Sequence, residues 1–191
     1  MSQADRDKWE KRYREGSYGT RTHPSEFLVE WLPRLPKGRA LDVACGIGRN
    51  ALYLAEAGYA VDAIDISSVA LQRLQDSVQA RGLTINCTEV DLESGPLPDE
   101  TYDLIVLVRY TSASLIARLL PLLREGGCFA CEEHLVTTED VIGPSSPGFR
   151  VAPGELRELT AELEVLSYSE GLVEDPDGRI AALASIVAKR A

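Results

Sequence analysis

Positive charge is what this chain has least of. Its 191 residues hold 20 Lys and Arg against 30 Asp and Glu, a formal net charge of −10, and the basic residues form no cluster. A protein without a basic stripe is a poor match for a phosphate backbone or for an anionic bilayer surface. Nucleic acid and membrane therefore drop out as expected partners. Long apolar runs are missing too: nothing approaches the roughly 20 residues that cross a bilayer. Met1-Ser2-Gln3-Ala4-Asp5-Arg6 leads into charge rather than into the apolar segment of a secretion signal. No set of His, Cys and carboxylates has zinc-site spacing, and no Ser/His/Asp constellation stands out, so neither a metal nor a nucleophilic triad is expected. Cys45, Cys87, Cys128 and Cys131 fall in strand-like or loop settings, which suggests reduced thiols in a cytoplasm. Cys128 and Cys131 have C-x-x-C spacing, but residues three apart on a strand point to opposite faces, so core packing is the reading. There is no internal repeat and no linker. With a hydrophobic share of 45% and a charged share of 26%, the chain reads as one globular domain.

What the chain has is one stretch, Arg39 to Tyr53, against which the rest is read. Ala40-Leu41-Asp42-Val43 is a short apolar run with an acid near its end. It stops in Ala44-Cys45-Gly46-Ile47-Gly48, and a helical pattern comes next, with Leu52 and Ala55 on one face and Gly58 as its stop. Strand, small-residue turn and helix make a loop for a nucleotide-type ligand. The glycines let the backbone come close, and the new helix points free N–H groups at the ligand. Asp65 lies 19 residues after Gly46, where a doubly wound fold holds a ribose diol; a carboxylate accepts from two hydroxyls at once. The plainer alternative for Asp65 is a cap on the helix beginning near Ser67.

The run D-V-A-C-G-I-G-R-N-A-L-Y-L-A, with A-I-D-I-S after it, resembles the class I S-adenosylmethionine-dependent methyltransferases. Their first motif is an acid and then a small-residue loop, D/E-x-G/A-x-G-x-G, and Asp42, Ala44, Gly46 and Gly48 fill those places. The nearest flavour is the tellurite-resistance-like and thiopurine-methyltransferase-like small-molecule group. The resemblance implies an α/β fold: a doubly wound, Rossmann-like sheet of seven strands, mostly parallel with an antiparallel C-terminal hairpin strand. It implies a single domain over 1–191, with a helical cap at 1–36 and a lid loop at 134–153. The cofactor implied is S-adenosylmethionine, held by Trp9, Tyr13, Asp42, Ala44, Cys45, Gly46, Arg49, Asp65, Ile66, Asp91, Leu92, Val108 and Arg109. The partner implied is a small methyl acceptor, and the protein a cytoplasmic monomer or homodimer. Gly46 to Ala51 also satisfies the dinucleotide fingerprint. Asp42, where that pattern has an apolar residue, and the later Asp91 favour S-adenosylmethionine over NAD. A cofactor-binding regulatory protein without turnover is the other alternative.

Along the chain, Trp9 and Tyr13 share one face of a polar helix, in the place where the resembled enzymes carry a cofactor-covering segment. A loop at Gly16-Ser17-Tyr18-Gly19-Thr20 leads to a second helix with Phe27, Leu28, Trp31 and Leu32 as its apolar stripe. His23 reads as a surface or capping residue. Ala70, Leu71, Leu74 and Val78 are in helical spacing with Gly82 as the stop, and Leu83, Ile85 and Cys87 alternate as a strand. Tyr102 to Val108 is a continuous apolar run that suits a central strand buried on both faces. Arg109-Tyr110-Thr111-Ser112 stands at its carboxyl end, the side on which ligands of open α/β sheets bind. Thr111-Ser112-Ala113 departs from the R-Y-L of the resembled family. A helix through Leu115, Ile116, Leu119 and Leu120 should kink at Pro121 and end by Gly126-Gly127, before a strand at Cys128–Cys131. Gly154–Leu163 reads as a helix, and 165–173 and 180–188 as a hairpin. On the acceptor side the candidates are Arg109, Tyr110 and His134, with Arg150: arginine to neutralise an anionic nucleophile, His134 to take a proton.

Overall fold

The computed structural model describes residues 3–16, 19, 21–175 and 177–191. Met1, Ser2, the Ser17, Tyr18 and Thr20 of the expected loop, and the Pro176 of the expected hairpin turn lie outside the described residues. Seven strands are formed: β1 Arg39–Val43, β2 Ala60–Asp65, β3 Ile85–Glu89, β4 Tyr102–Val108, β5 Leu123–His134, β6 Glu164–Glu174 and β7 Ile180–Lys189. They make one sheet in the order β3-β2-β1-β4-β5-β7-β6. All pairings from β3 to β5 are parallel, whereas β7 runs antiparallel to both β5 and β6.

The continuous apolar run becomes β4, the middle strand of the seven, and its Leu104, Ile105, Val106 and Leu107 are wholly inaccessible. Alternate residues feed two cores. One face carries Leu41, Val43, Ile105, Leu107 and Phe129 and is covered by α5 (Ala113–Leu119) and α6 (Glu155–Leu159). The other carries Ala40, Leu104, Val106 and Ala130 under α2 (Glu26–Trp31), α3 (Arg49–Glu56) and α4 (Ser68–Arg81). Cys128 and Cys131 fall one on each face, and the four cysteines are free. Helix α4 has both of its signals. The Ser67 hydroxyl accepts the Ala70 N–H at the start, and Gly82 closes the end in the left-handed conformation. Helix α1 (Gln3–Arg14) lies across α4. Among the described residues no helix is long and apolar enough to cross a membrane.

Three elements differ from their sequence patterns. The helix expected over Gly154–Leu163 spans only Glu155–Leu159, because the Thr160 hydroxyl donates to the Leu156 carbonyl and so competes with the helical ladder. Strand β5 starts at Leu123 and passes through Gly126 and Gly127. The glycines mark a register shift between Tyr102 and Leu104, Gly126 taking a φ of +76°. The helix expected to kink at Pro121 and to end by Gly126-Gly127 instead stops at Leu119, and Pro121 lies in a 3-10 turn over Leu120–Leu122. Residues 135–153 form no long element yet are pinned at several points. Leu135 and Val151 make a parallel bridge, the Ile142 N–H donates to Ile180, and Arg150 reaches the Pro144 and Leu135 carbonyls at 2.8 Å each.

Strand order reverses at β1, which has β2 on one side and β4 on the other. The carboxyl ends of β1 and β4 therefore form a switch point, where sheets of this kind bind ligands. Helix α4 packs directly beneath the glycine turn there: Gly48 has a φ of +82°, and a Cβ on it would lie 2.2 Å from Leu74 Cδ1. Gly48→Ala is expected to cost about 1–3 kcal/mol through backbone strain and overpacking. A urea midpoint equal to that of the parent chain would show that the turn is not held against α4.

Candidate functional site

The turn after β1 is held in a conformation few side chains tolerate. Ala44, Gly46 and Gly48 all have positive φ, +53°, +55° and +82°. Ala44, a non-glycine residue in the left-handed region, carries local strain of the kind that collects at functional sites. The turn is tied down from the neighbouring strand: the Gly46 N–H donates to one oxygen of Asp65 at 2.8 Å, and the other accepts the Ser67 N–H at 2.9 Å. Asp65 is 6% exposed, and burial raises its pKa. Below it, Asp42 is 1% exposed. It receives the Ala51 N–H, and burial pushes its pKa up to about 7. Its Oδ2 has no hydrogen-bond partner among the described residues. A buried carboxylate oxygen left open beneath a glycine turn suits a ligand with an N–H or O–H to give.

Helix α1 lies over this turn. Glu10, 7% exposed, accepts from the Ser68 hydroxyl at 3.1 Å and the Ser67 hydroxyl at 3.3 Å, so it seats α1 on the start of α4. Tyr13 brings its hydroxyl to Gly46, where a Cβ would be 2.7 Å away, and Trp9 stacks beside it with ring centroids 6.1 Å apart. Trp9 and Tyr13 are thus brought to the turn together with Glu10, which the helical pattern did not single out. Asp91 comes after β3, next to the end of β2, since Val90 donates its N–H to the Asp65 carbonyl. Its carboxylate accepts from Glu93 N–H and the Ser94 hydroxyl. Leu92 and Ile66 are buried in the same region, and Cys45, 8% exposed, closes the turn by accepting the Gly48 N–H on its carbonyl.

Beyond Val108, Arg109 leaves β4 with a φ of +62°. Three acidic side chains hold the segment from Arg109 to Thr111. Glu132 and Glu133 are consecutive on β5 and so point to opposite faces. Glu132 accepts from the Ser25 hydroxyl at 3.2 Å and pairs with Arg109 at 3.4 Å. Glu133 accepts the Tyr110 N–H at 3.0 Å and the Thr111 hydroxyl at 2.9 Å. Asp175, from the turn between β6 and β7, takes Arg109 in a two-pronged pair at 2.6 and 2.9 Å and also binds Arg21. Arg109 and Tyr110, expected to face one acceptor, are consequently separated. Arg109 lines a cavity of about 340 Å³ with Arg49, Glu132 and Asp175. The Tyr110 hydroxyl turns instead to Glu93 at 2.9 Å, and burial together with Glu93 raises its pKa, leaving a phenol rather than a phenolate.

Arg49, the first residue of α3, has only the His23 carbonyl as a hydrogen-bond acceptor among the described residues, at 3.3 Å. Burial, with Arg109 and Arg21 nearby, pushes its pKa down to about 10. His134 ends β5 at 8% exposure, its Nδ1 without a partner among the described residues. Burial, then Arg109 and Arg150, pushes its pKa down to about 4. The imidazole is therefore neutral and a weak proton acceptor at neutral pH. Arg150 is spent on loop carbonyls and does not join Arg109. Glu133 and Asp175 were not legible as site residues, the first reading as a strand end and the second as hairpin-turn chemistry. Among the described residues no cluster could hold a metal ion.

Residues 40–127 match a family model described as a methyltransferase domain. The chain is 30% identical over 143 residues to the probable S-adenosyl-L-methionine-dependent methyltransferase TehB of Haemophilus influenzae, covering 71% of this chain and 49% of that protein. The crystal structure of Haemophilus influenzae TehB superposes with a TM-score of 0.76 at 26% identity, over 95% of this chain and 67% of that one. Magnesium protoporphyrin IX methyltransferase from Synechocystis PCC 6803, solved with bound S-adenosylmethionine, shares the fold, with a TM-score of 0.65 at 19% identity over 96% and 84% of the two chains. The chain spans about half the length of the curated relatives it matches.

Glu133 gives a pH signature. Burial first, with Glu132 adding, raises its pKa from 4.5 to about 8 against the hydrogen bonds from Thr111 and Tyr110. Between those two values the unfolded chain is ionised there while the folded chain keeps the proton. Stability from this group therefore falls as pH rises through the window. Glu133→Gln, which cannot ionise, should gain stability relative to the parent on going from pH 5 to pH 8. Urea midpoints measured at both pH values check this, and a difference that stays constant would mean that Glu133 is ionised in the fold.

Proposed function

We propose that this chain, which carries the methyltransferase domain of the class I S-adenosylmethionine-dependent methyltransferases, transfers the cofactor's methyl group to a small acceptor with a soft or anionic nucleophile. Thiols and selenite- or tellurite-type oxyanions are the acceptors intended. One observation carries the acceptor class. In a chain of net charge −10, Arg49 follows the glycine turn directly and has the His23 carbonyl as its only hydrogen-bond acceptor among the described residues, in the wall of a cavity it shares with Arg109, Glu26, Glu30, Glu132 and Asp175. Guanidinium groups in a partly buried setting favour the ionised form of an acidic nucleophile.

The residues fit the cofactor. The open Oδ2 of Asp42, the Gly46 and Gly48 backbone without Cβ atoms, and the Asp65 carboxylate lie around one turn. Asp65 receives the Gly46 and Ser67 N–H groups, one on each oxygen, with Ile66 N–H beside them, and its roughly four lone-pair sites leave room for a ribose hydroxyl. Asp91, next to the end of β2, is the acceptor for the adenine amino group. Trp9 and Tyr13 close over the site from α1, and the 1–36 segment acts as a cap that must lift for entry. When bound, S-adenosylmethionine supplies a methyl group that is already electrophilic on its sulfonium. The chain then has to orient the nucleophile in line and exclude water, and orientation alone is worth roughly 7–11 kcal/mol in well-aligned systems. The neutral His134 and phenolic Tyr110 shape the site rather than move a proton, and the 134–153 segment is its lid. The same charge balance favours a small acceptor over nucleic acid, since −10 repels a polyanion. The protein is read as cytoplasmic.

Three measurements test this reading. Calorimetry should give one site per chain for S-adenosylhomocysteine and no heat with NAD; the reverse pattern ends the proposal. Tritiated-methyl transfer to a panel of thiols, selenite, tellurite and bulk RNA should label a small acceptor best. Binding without transfer to any of them would favour a regulatory protein instead. Asp65→Asn, which keeps an acceptor oxygen for the backbone N–H groups it holds, should weaken S-adenosylhomocysteine by about 1.5–3 kcal/mol, the value of a charge-assisted hydrogen-bond pair, while near-ultraviolet circular dichroism stays native. Unchanged affinity in that folded variant removes Asp65 from the ribose.

A further inference from the structure

We propose that the groove between α3 and α4 is a second binding site, for a small anion bearing phosphoryl or carboxylate groups. The groove encloses about 220 Å³ behind the glycine turn, and the residues that matter are Arg49, Arg73 and Arg81 with Ser77 and Thr22. No carboxylate is among the described residues that line it, in a chain with ten more acidic than basic residues. Arg73, Ser77 and Arg81 are spaced four apart on α4, so they rise along one face of the helix over about 12 Å of its axis. They meet the start of α3, where Arg49 stands.

Charge in this groove is under-compensated. Arg81 has Glu56 at 2.7 Å, but in an exposed pair of the kind worth little. Arg73 has no acid partner among the described residues. Arg49 is the most enclosed of the three, has a neutral carbonyl as its only hydrogen-bond acceptor among the described residues at 3.3 Å, and stands in the field of Arg109 and Arg21 as well as of Glu132 and Asp42. A partly buried cation left in that state gains from any anion that reaches it. The guanidinium fork matches phosphoryl and carboxylate oxygens in pairs, and Thr22 adds a hydroxyl donor, while the Ser77 hydroxyl donates to the Arg73 carbonyl. The enclosed volume suits a compact anion rather than a strand of nucleic acid.

Arg49 lines both this groove and the inner cavity of about 340 Å³, whereas Arg73, Ser77 and Arg81 line the groove alone. An anion in the groove therefore draws on the same guanidinium as a ligand in the inner cavity, and the two sites are linked reciprocally. The site does not depend on methyl transfer and stands or falls separately from it.

The test is calorimetry on the full chain at physiological salt, where surface charge is screened beyond about 8 Å, with pyrophosphate and citrate as separate probes. At least one should show a saturable site of one per chain, and which of the two binds more tightly tells phosphoryl from carboxylate recognition. Arg73→Glu should weaken it at least tenfold. Arg34→Glu, an exposed arginine away from the groove, should leave it within twofold, with both variants melting like the parent. The proposal is overturned if neither probe saturates, if Arg73→Glu binds within twofold of the parent, or if both charge reversals weaken binding equally. The last result would mean a diffuse field rather than a site.

Discussion

The hydrogen bond from the Gly46 N–H to the Asp65 carboxylate is the contact on which the carboxyl edge of the sheet depends. It ties the turn after β1 to the end of β2, and the other oxygen of the same carboxylate sets the start of α4 through Ser67. One side chain thus fixes the spacing of two strands and the entry of a helix. The turn it holds is costly in itself, with Ala44, Gly46 and Gly48 at positive φ and Asp42 buried beneath with an open oxygen. Strain and an unsatisfied acceptor in one place are tolerated when the surrounding structure over-determines them. Here the parallel pairing of β1 with β2 and β4 does so.

Charge is organised on a second principle. The molecule is acidic overall, yet Arg21, Arg49 and Arg109 come near one another beyond the end of β4. Arg109 is held by Glu132 and Asp175, and Asp175 also holds Arg21. Such partly buried pairs contribute little net stability, because desolvation offsets the attraction. Their effect is positional: they fix the direction of Arg109 at a strained backbone site and bring the β6–β7 turn over it. Glu133 does the equivalent on the other face, holding Tyr110 and Thr111. The tetrapeptide after β4 is thereby clamped from both sides by neighbouring residues of one strand.

Helix α1 joins these two arrangements to solvent. Its Glu10 occupies the start of α4 and its Tyr13 lies against Gly46, so the segment that covers the turn is fastened by polar contacts rather than by a large apolar face. Contacts of that kind can be exchanged for water at modest net cost, which suits a cover that opens. The 135–153 segment is fastened differently, by backbone bridges and the Arg150 fork.

The sequence by itself determined the strand–turn–helix at 40–56, the central position of β4, the antiparallel hairpin and the place of Asp65. These arise from local rules: residue periodicity, the need for glycine at positive φ, and the burial that a continuous apolar run demands. It also placed Asp42, Trp9 and Tyr13 near one turn by resemblance. What it could not contain was which charges meet. Glu10 bonds residues 57 and 58 positions away, Glu132 reaches Arg109 and Ser25, and Asp175 finds Arg109 at a separation of 66. No periodic pattern encodes such pairs. Only the tertiary structure decided that Arg109 and Tyr110 part to opposite faces, that His134 is held neutral and that Arg150 serves the loop. Burial and neighbouring charge, which set those outcomes, arise from the packing of strands and helices distant in the chain.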